Sequence, residues 1–381
     1  MINALFSDPK IKYPTNNMEL HFDEYITECK SIIASTRVDL TKDNAEKIIE
    51  ANSPFELKPK NTTKPDIGIL LIHGLLDCPL HVRDIGEQLQ AQGYLVRSVL
   101  LDGHGTVPGA LLHVDYREWL QTVRYGIASL KKEVEKIILI GQSTGASLAL
   151  YQAIENSETV SGVILVSPAL KIRSCFAPIA NWYRLIDWAW KRAAWFHQDP
   201  EETIDYAKYS SLPYNAIYQV YRLSQDLKER QNSHLPLCPL LFILSQDDKI
   251  VCPTTIIDYF LEHNNIKSRL LLYSNHSNHF KDSRIQMKAS AYPRHHIINF
   301  PHTVIPISPA NPHYGNMGDF KYSSHVDETQ NVIYGEYLRD DLFYNRCMLK
   351  LGLTHLRKER LTFNPDFMYM SEYIKKFVED L

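Results

Sequence analysis

The sequence predicts an α/β protein in which a mostly parallel central sheet is flanked by helices. Between residues 66 and 170, apolar runs alternate with amphipathic stretches, which is the pattern of repeated strand-helix-strand units. The runs are continuous in Ile, Leu and Val, so their strands should be covered on both faces. Hydrophobic residues make up 44% of the 381-residue chain, which is enough to fill such a core and excludes a disordered or fibrous protein.

Each strand is predicted from an apolar run and each helix from apolar residues at helical spacing. The first part of the predicted sheet has strands at 67–72, 95–101, 136–140 and 160–166. The predicted helices between these strands lie at 78–92, 116–134 and 143–154. The sheet resumes with a strand at 239–244, a helix at 254–263, a strand at 269–273 and a strand at 296–300, and an amphipathic helix begins near residue 365.

Three additions to this core are predicted. Residues 1–65 form a helical N-terminal arm, with helices at 19–34 and 44–51, that packs on the core. Residues 171–236 form a helical, aromatic-rich cap, and the core itself comprises 66–170 and 237–381, the latter including a C-terminal extension. The cap holds four of the five tryptophans, namely Trp182, Trp188, Trp190 and Trp195.

Charge and cysteine content argue against several classes of protein. Lys and Arg number 41 against 44 for Asp and Glu, and no basic run stands out, so nucleic-acid binding is not expected. No apolar run approaches the length that spans a bilayer, and the first residues lack an export signal, so a cytoplasmic protein is expected. The six cysteines are scattered without a C-x-x-C motif, which argues against a zinc knuckle or a disulfide framework.

The predicted strand 136–140 continues into Gly141-Gln142-Ser143-Thr144-Gly145 and then into a helix. A nucleophile elbow of the form G-x-S-x-G requires this strand-turn-helix context. The turn strains the serine backbone at the helix N-terminus, and the two glycines let the strand and the helix pass without a Cβ clash. Ser143 is therefore the candidate nucleophile, and the alternative is an ordinary glycine-rich turn.

A second loop is expected close to this serine. The first strand ends in His73-Gly74-Leu75, and a loop there can direct a backbone N–H at the nucleophile. Leu75 and Thr144 are the candidate oxyanion-hole donors, acting through the main chain. His73, Gly74 and Gln142 are candidate substrate contacts, and the alternative for His73-Gly74 is that it only caps a strand.

Three motifs in this order resemble the α/β-hydrolases, and among them the branch of esterases, monoacylglycerol lipases and lysophospholipases. They are Leu71-Ile72-His73-Gly74, Asp102-Gly103-His104-Gly105 and Gly141-Gln142-Ser143-Thr144-Gly145. The resemblance covers about residues 66–273. It implies a Ser-Asp-His triad in that chain order, a cap inserted between two core strands, and no cofactor.

The triad carboxylate is expected directly after the strand 239–244, where Asp247 and Asp248 stand together. The family pattern is an Asp followed by one variable residue and two apolar residues, and it fits Asp248-Lys249-Ile250-Val251. Asp248 is therefore favoured, and Asp247 would instead cap the following helix.

The base has three candidates. The simplest family layout places it a few residues after the strand 269–273, which selects His279 or His276. The string Asn299-Phe300-Pro301-His302-Thr303 resembles a bacterial group of α/β-hydrolases in which that histidine is the base, displaced by an insertion. The sequence therefore favours His302, with His279 and His276 as alternatives. The H-x-x-H spacing of His276 and His279 lacks the further ligands of a metal site, so none is predicted.

These residues predict a serine hydrolase that cleaves carboxylic esters of lipophilic acyl groups, such as a monoacylglycerol or a lysophospholipid. Trp182 and Trp188 of the cap are candidate walls of the acyl pocket, or else part of the cap's own core. Exposed cap aromatics would also allow peripheral contact with a membrane. The alternatives are a thioesterase or peptidase with the same triad, and a non-catalytic binding protein of the same fold.

Overall fold

The computed structural model describes residues 2–60, 65–171, 194–199, 201–233, 235–276, 280–326, 331–337, 342, 345, 348–350, 354 and 357–381. The strands in this part of the chain are β1 (Phe55–Leu57), β2 (Ile67–Ile72), β3 (Leu95–Val99), β4 (Lys136–Gln142), β5 (Val160–Val166), β6 (Trp195–His197), β7 (Leu212–Pro213), β8 (Leu240–Ser245), β9 (Arg269–Tyr273), β10 (Ile285–Lys288), β11 (Val332–Gly335) and β12 (Arg357–Arg360).

The α-helices of the same residues are α1 (Ile2–Leu5), α2 (Phe22–Thr36), α3 (Ala45–Asn52), α4 (Leu80–Ala91), α5 (Tyr116–Lys131), α6 (Thr144–Glu155), α7 (Tyr214–Ser233), α8 (Pro253–Glu262) and α9 (Phe367–Glu379). Short 3₁₀ turns occupy Pro14–Asn16, Pro108–Leu111 and Pro293–His295. The start of α5 shows why these segments are helical: Asp115 accepts a hydrogen bond from the N–H of Arg117, and Glu118 bonds back to the N–H of Asp115.

The central sheet has the strand order β1-β3-β2-β4-β5-β8-β9-β10. Its strands pair in parallel except β1, which runs antiparallel to β3 at one edge. Parallel pairing brings the carboxyl ends of β2, β4, β5 and β8 to one edge of the sheet. The loops that follow these strands therefore lie together, as ligand-binding loops do in open α/β sheets.

The sheet is buried on both faces, as its continuous apolar runs predict. Successive strand residues point to opposite faces, so Leu70 and Leu139 join one cluster while Ile69 and Ile138 join the other. Side chains of α2, α5, α6 and α8 cover the first face. Those of α4 and of the amphipathic helix α9 cover the second.

The predicted strands at 67–72, 160–166 and 269–273 are confirmed with their bounds, and the other strand and helix predictions from 78 to 263 shift by a few residues at their ends. The mostly parallel sheet flanked by helices is likewise confirmed. The strands β1 and β10 were not predicted. The N-terminal arm packs on the core through buried residues of α2, including Tyr25 and Ile33, and it contributes the edge strand β1.

The strand predicted at 296–300 is wrong. His296 adopts a left-handed backbone conformation, with φ 55°, which interrupts an extended run. Ile297 makes only isolated bridges, to Tyr292 and Tyr334, and β10 occupies the edge of the sheet beside β9. The apolar pattern reflects burial of Ile297 and Phe300 in the second core face.

The described part of the cap is only partly helical. The strands β6 and β7 pair antiparallel before the long helix α7 begins. Trp195 lies in β6, where its ring packs edge-on against Phe6 of the N-terminal arm at 5.2 Å. Trp182, Trp188 and Trp190 lie outside the described residues. None of the described helices combines the length and the apolar character needed to cross a bilayer.

Candidate active site

Ser143 occupies a sharp turn between β4 and α6. Its backbone has φ 53° and ψ −114°, a conformation that non-glycine residues rarely adopt and that costs about 1–3 kcal/mol. The surrounding sheet holds it there, because the Ser143 N–H donates to the carbonyl of Val166 at 2.8 Å and the N–H groups of Ser147 and Ala169 donate to the Ser143 carbonyl. This is the strained elbow that the G-x-S-x-G motif predicts.

The two glycines of the motif allow this turn. A Cβ atom at Gly141 would lie 2.3 Å from the carbonyl oxygen of Gly145, and a Cβ at Gly145 would lie 2.3 Å from the carbonyl oxygen of Ile72. Both contacts are with backbone, which cannot rotate away as a side chain can. Strand and helix therefore pass each other at a distance that only glycine permits.

Replacement of Gly141 by alanine should lower the free energy of unfolding by at least about 1–3 kcal/mol, because the new methyl group overlaps the backbone at Gly145. Urea denaturation measures this. Gly162→Ala is the matched control, since its Cβ would meet only the side-chain end of Leu381. An equal loss of stability in both variants would contradict the argument.

Ser143, His302 and Asp248 form one hydrogen-bonded chain. The Ser143 hydroxyl donates to His302 Nε2 at 2.8 Å. His302 Nδ1–H donates to Asp248 Oδ2 at 2.6 Å. The three residues come from the ends of β4 and β8 and from the loop that follows Phe300, so they are distant in sequence and adjacent only in the fold.

The Asp248 carboxylate is fully buried and fixed on both oxygens. Its Oδ1 accepts the N–H groups of Ile250 at 2.8 Å and Val251 at 3.0 Å, while Oδ2 faces His302. Burial raises the pKa of this carboxyl, but the interaction with His302 and the two N–H bonds outweigh burial and hold the pKa below its ordinary value. Asp248 is therefore an ionised acceptor at neutral pH.

The imidazole of His302 is also buried. Burial lowers its pKa, but the Asp248 carboxylate, assisted by the carboxylate of Glu336, outweighs burial and raises the pKa above the ordinary value. The Lys208 ammonium acts in the opposite direction. The site thus stabilises the protonated imidazole.

The alternative acid and bases lie elsewhere. Asp247 accepts a hydrogen bond from Ser290 at 2.8 Å and does not cap α8, whose N-cap is Cys252. His276 is largely exposed, and its Nε2 lies 3.7 Å from Asp247. His279 lies outside the described residues.

The loop after β2 lies against Ser143. A Cβ atom built on Gly74 would be 3.3 Å from Ser143 Cβ, so Gly74 is in contact with the serine and Leu75 follows it. Thr144 is the first residue of α6, where a backbone N–H has no partner within the helix. In the described residues, no acceptor contacts the N–H of Leu75 or of Thr144. Both remain able to bind an oxyanion.

Two buried histidines hold this loop. His73 Nε2 accepts the N–H of Leu101 at 3.1 Å, and His104 Nε2 accepts the N–H of Leu76 at 3.1 Å. Burial lowers the pKa of His73 to about 3 and that of His104 to about 4. Both rings are therefore neutral and can accept these bonds, which an imidazolium cannot do. His104, from the motif Asp102-Gly103-His104-Gly105, thus fixes the loop that follows His73-Gly74.

The other residues predicted to contact substrate are buried or lie outside the described residues. Gln142 is fully buried, and its side-chain amide has no hydrogen-bond partner in the described part of the protein. The ring of His73 is occupied by its bonds to Leu101 and to the carbonyl of Gly74. The cap residues Trp182 and Trp188 fall outside the described ranges.

Two charged residues near the site were not predicted. Lys208, in the segment before β7, forms an ion pair with Asp77, a buried residue of the loop after β2. Glu336 accepts a hydrogen bond from the backbone N–H of His302. Both contacts join segments more than 30 residues apart, and no local pattern in the sequence announces them. Among the described His, Cys, Asp and Glu side chains, no group of three could hold a metal ion.

Comparison with known proteins identifies a matching family and several relatives. Residues 63–279, more than half of the chain, match the family described as serine aminopeptidase, S33. The chain is 26% identical over 187 residues to a thermostable monoacylglycerol lipase of Bacillus sp. (strain H-257), covering 49% of this chain and 72% of the lipase. It is 24% identical over 196 residues to a carboxylesterase of Bacillus subtilis (strain 168), covering 51% of this chain and 77% of the esterase.

Among solved structures, a soluble variant of the monoglyceride lipase from Saccharomyces cerevisiae aligns with a TM-score of 0.49 and 16% identity, over 58% of this chain and 82% of that one. The family match ends at residue 279 and so stops before His302. The extent of that match, together with the parallel sheet and its elbow, shows that the chain belongs to the serine aminopeptidase S33 family of the α/β-hydrolase superfamily.

Proposed function

We propose that the protein is a serine hydrolase that cleaves carboxylic esters of lipophilic acyl groups through an acyl-enzyme on Ser143. The observation that carries this proposal is the hydrogen-bonded chain from Ser143 through His302 to Asp248. A partly exposed serine hydroxyl in contact with an oriented imidazole is the arrangement that nucleophilic acyl transfer requires.

In the first half-reaction, Ser143 Oγ attacks the ester carbonyl carbon while His302 Nε2 takes the hydroxyl proton. The negative charge that develops on the carbonyl oxygen is bound by the N–H groups of Leu75 and Thr144, and Asp248 balances the imidazolium. The carbon–oxygen ester bond then breaks, and His302 returns the proton to the leaving alkoxide. The acyl group remains on Ser143.

In the second half-reaction, a water molecule attacks the acyl-enzyme. His302 takes a proton from the water, and the bond between the acyl carbon and Ser143 Oγ breaks. The proton returns to Ser143, and the carboxylic acid leaves. The ring orientation set by Asp248 serves both halves, because the same Nε2 atom accepts and donates the proton.

Apolar side chains that lie next in sequence to the site residues favour a lipophilic acyl group. Leu75 and Leu76 are half-buried on the loop that follows Gly74, and Ile250, 44% exposed, lies two residues after Asp248. The relatives named above include a monoacylglycerol lipase and a carboxylesterase. In this proposal residues 171–236 form the cap, and its helix α7 packs on the core through Val220 and Leu223. Trp182 and Trp188 stay candidate walls of the acyl pocket and lie outside the described residues.

The acyl preference is tested with p-nitrophenyl esters of increasing chain length. We expect kcat/KM to rise at least about 10-fold from acetyl to octanoyl, because each buried methylene contributes up to about 0.8 kcal/mol. The uncatalysed rate of each ester is subtracted. A rate that falls steadily beyond acetyl would contradict the lipophilic substrate class while leaving the esterase mechanism in place.

The second candidate is a peptidase, and the description of the matched family as a serine aminopeptidase favours it. The same triad attacks an amide carbonyl, but the leaving amine needs the proton from His302 more strongly than an alkoxide does. Aminoacyl p-nitroanilides distinguish the two functions. We expect them to be hydrolysed far more slowly than the octanoyl ester, and the reverse order would favour the peptidase.

A further inference from the structure

The loop that carries His302 is held by a segment of the C-terminal extension. The strand β11 pairs in parallel with β12, and its other side bonds to the chain before His302. The N–H of Ile298 donates to the carbonyl of Tyr334 at 2.9 Å, and the N–H of Tyr334 donates to the carbonyl of His296 at 2.9 Å. The extension therefore acts as a backbone template for this loop.

The contact continues to the base itself through Glu336, the residue after β11. Glu336 is 4% exposed, and its Oε2 accepts the backbone N–H of His302 at 2.8 Å. The N–H of Glu336 in turn donates to Asn299 Oδ1 at 2.6 Å. A Cβ at Gly335 would lie 2.7 Å from the same Asn299 oxygen, so the two segments are in close contact. These bonds fix Glu336 relative to the loop at Asn299 and at the base itself.

Glu336 also adds a charge to the surroundings of His302. The imidazole is faced by Asp248 from the loop after β8, by Glu336 from the extension and by Lys208 from the segment before β7. Glu336 itself is faced by Arg360 of β12, whose Nη2 lies 4.0 Å from Oε1, and by Asp248 and His302. Burial raises the pKa of Glu336, and Arg360 and the N–H of His302 oppose that rise.

We propose that Glu336 is a positioning residue for this enzyme: it holds the backbone of His302 and supplies a second negative charge beside the imidazolium that forms during acyl transfer. This inference rests on the proposed function, since it assigns Glu336 to the same base. Asp248 orients the ring through Nδ1, and Glu336 fixes the point from which the ring extends.

Two substitutions separate the two roles. In Glu336→Gln the amide oxygen still accepts the His302 N–H, but the charge is gone, so the pKa of His302 should fall. Activity requires the neutral imidazole, and the acid limb of the kcat/KM profile should therefore move to lower pH by about half a unit. In Glu336→Ala the bond is also lost, and kcat should fall about 10- to 100-fold with KM unchanged.

Glu359→Gln is the matched control, because this residue lies on β12 and pairs with Arg357. It should leave both kcat and the pH profile as they are. An acid limb in Glu336→Gln that coincides with that of the unchanged protein, or a full kcat in Glu336→Ala, would overturn the proposal. Thermal unfolding of both variants separates misplacement of His302 from loss of the fold.

A readout without turnover separates this inference from the proposed function. The pKa of His302 is measured by NMR titration of its imidazole in the unchanged protein and in Glu336→Gln. A downward shift supports the role of Glu336 even if no ester is hydrolysed. An unchanged pKa in an active esterase refutes the role of Glu336 and leaves the esterase function standing.

Discussion

Ser143→Ala should abolish ester hydrolysis, with a fall in kcat of at least about 10⁴-fold, and should abolish labelling by a fluorophosphonate probe. The substitution removes the oxygen that attacks the carbonyl and leaves the oxyanion donors of Leu75 and Thr144 in place. The small remaining rate would come from substrate binding and from those donors. The measurements are turnover of a chromogenic ester and probe incorporation in a gel.

The chain offers a matched control for this substitution. Ser147 lies one turn further along α6, is fully buried, and its hydroxyl has no hydrogen-bond partner in the described residues. Ser147→Ala therefore removes a serine hydroxyl from the helix that follows Ser143 without touching the proposed mechanism, and it should keep both activity and labelling. Full labelling of Ser143→Ala would show that the nucleophile is another residue.

His302→Ala should reduce kcat to a similar extent, because no other described group accepts the proton of Ser143. Fluorophosphonate labelling should also slow, since the hydroxyl is no longer activated. The competing candidates are tested in parallel: His276→Ala and His279→Ala should each retain most of the wild-type kcat. Near-normal turnover in His302→Ala combined with an inactive His279→Ala would move the base to His279.

Much of the fold could be predicted from local sequence. The strands at 67–72, 160–166 and 269–273 are continuous apolar runs, which is the sequence pattern typical of parallel strands buried on both faces. The short edge strands β1 and β10 have weak patterns, because one side of each is unpaired. The strand prediction at 296–300 is wrong, because Ile297 and Phe300 are buried although the chain there is irregular, and buried irregular chain has the same apolar pattern as a strand.

The candidate site also contains residues that the sequence predicts and residues that it does not. Ser143 and Asp248 directly follow predicted strands, so their neighbourhood could be inferred from topology. The position of His302 depended on a family resemblance, because 54 residues separate it from Asp248 and no periodicity connects them. Glu336 and Lys208 could not be predicted at all, because their contacts join segments that are distant in the chain, and such contacts leave no pattern in the neighbouring sequence.

The pairing of β11 with β12 affects when the enzyme can first act. The strands of the central sheet are complete once residue 288 has been synthesised, and the proposed triad residues are all present by residue 302. The loop that holds His302, however, is bound by β11, and β11 is bound by β12, which ends at Arg360. We therefore expect a chain growing on the ribosome to pair the strands of its sheet before it can hydrolyse an ester, while the second face of the sheet stays uncovered until α9 has been synthesised.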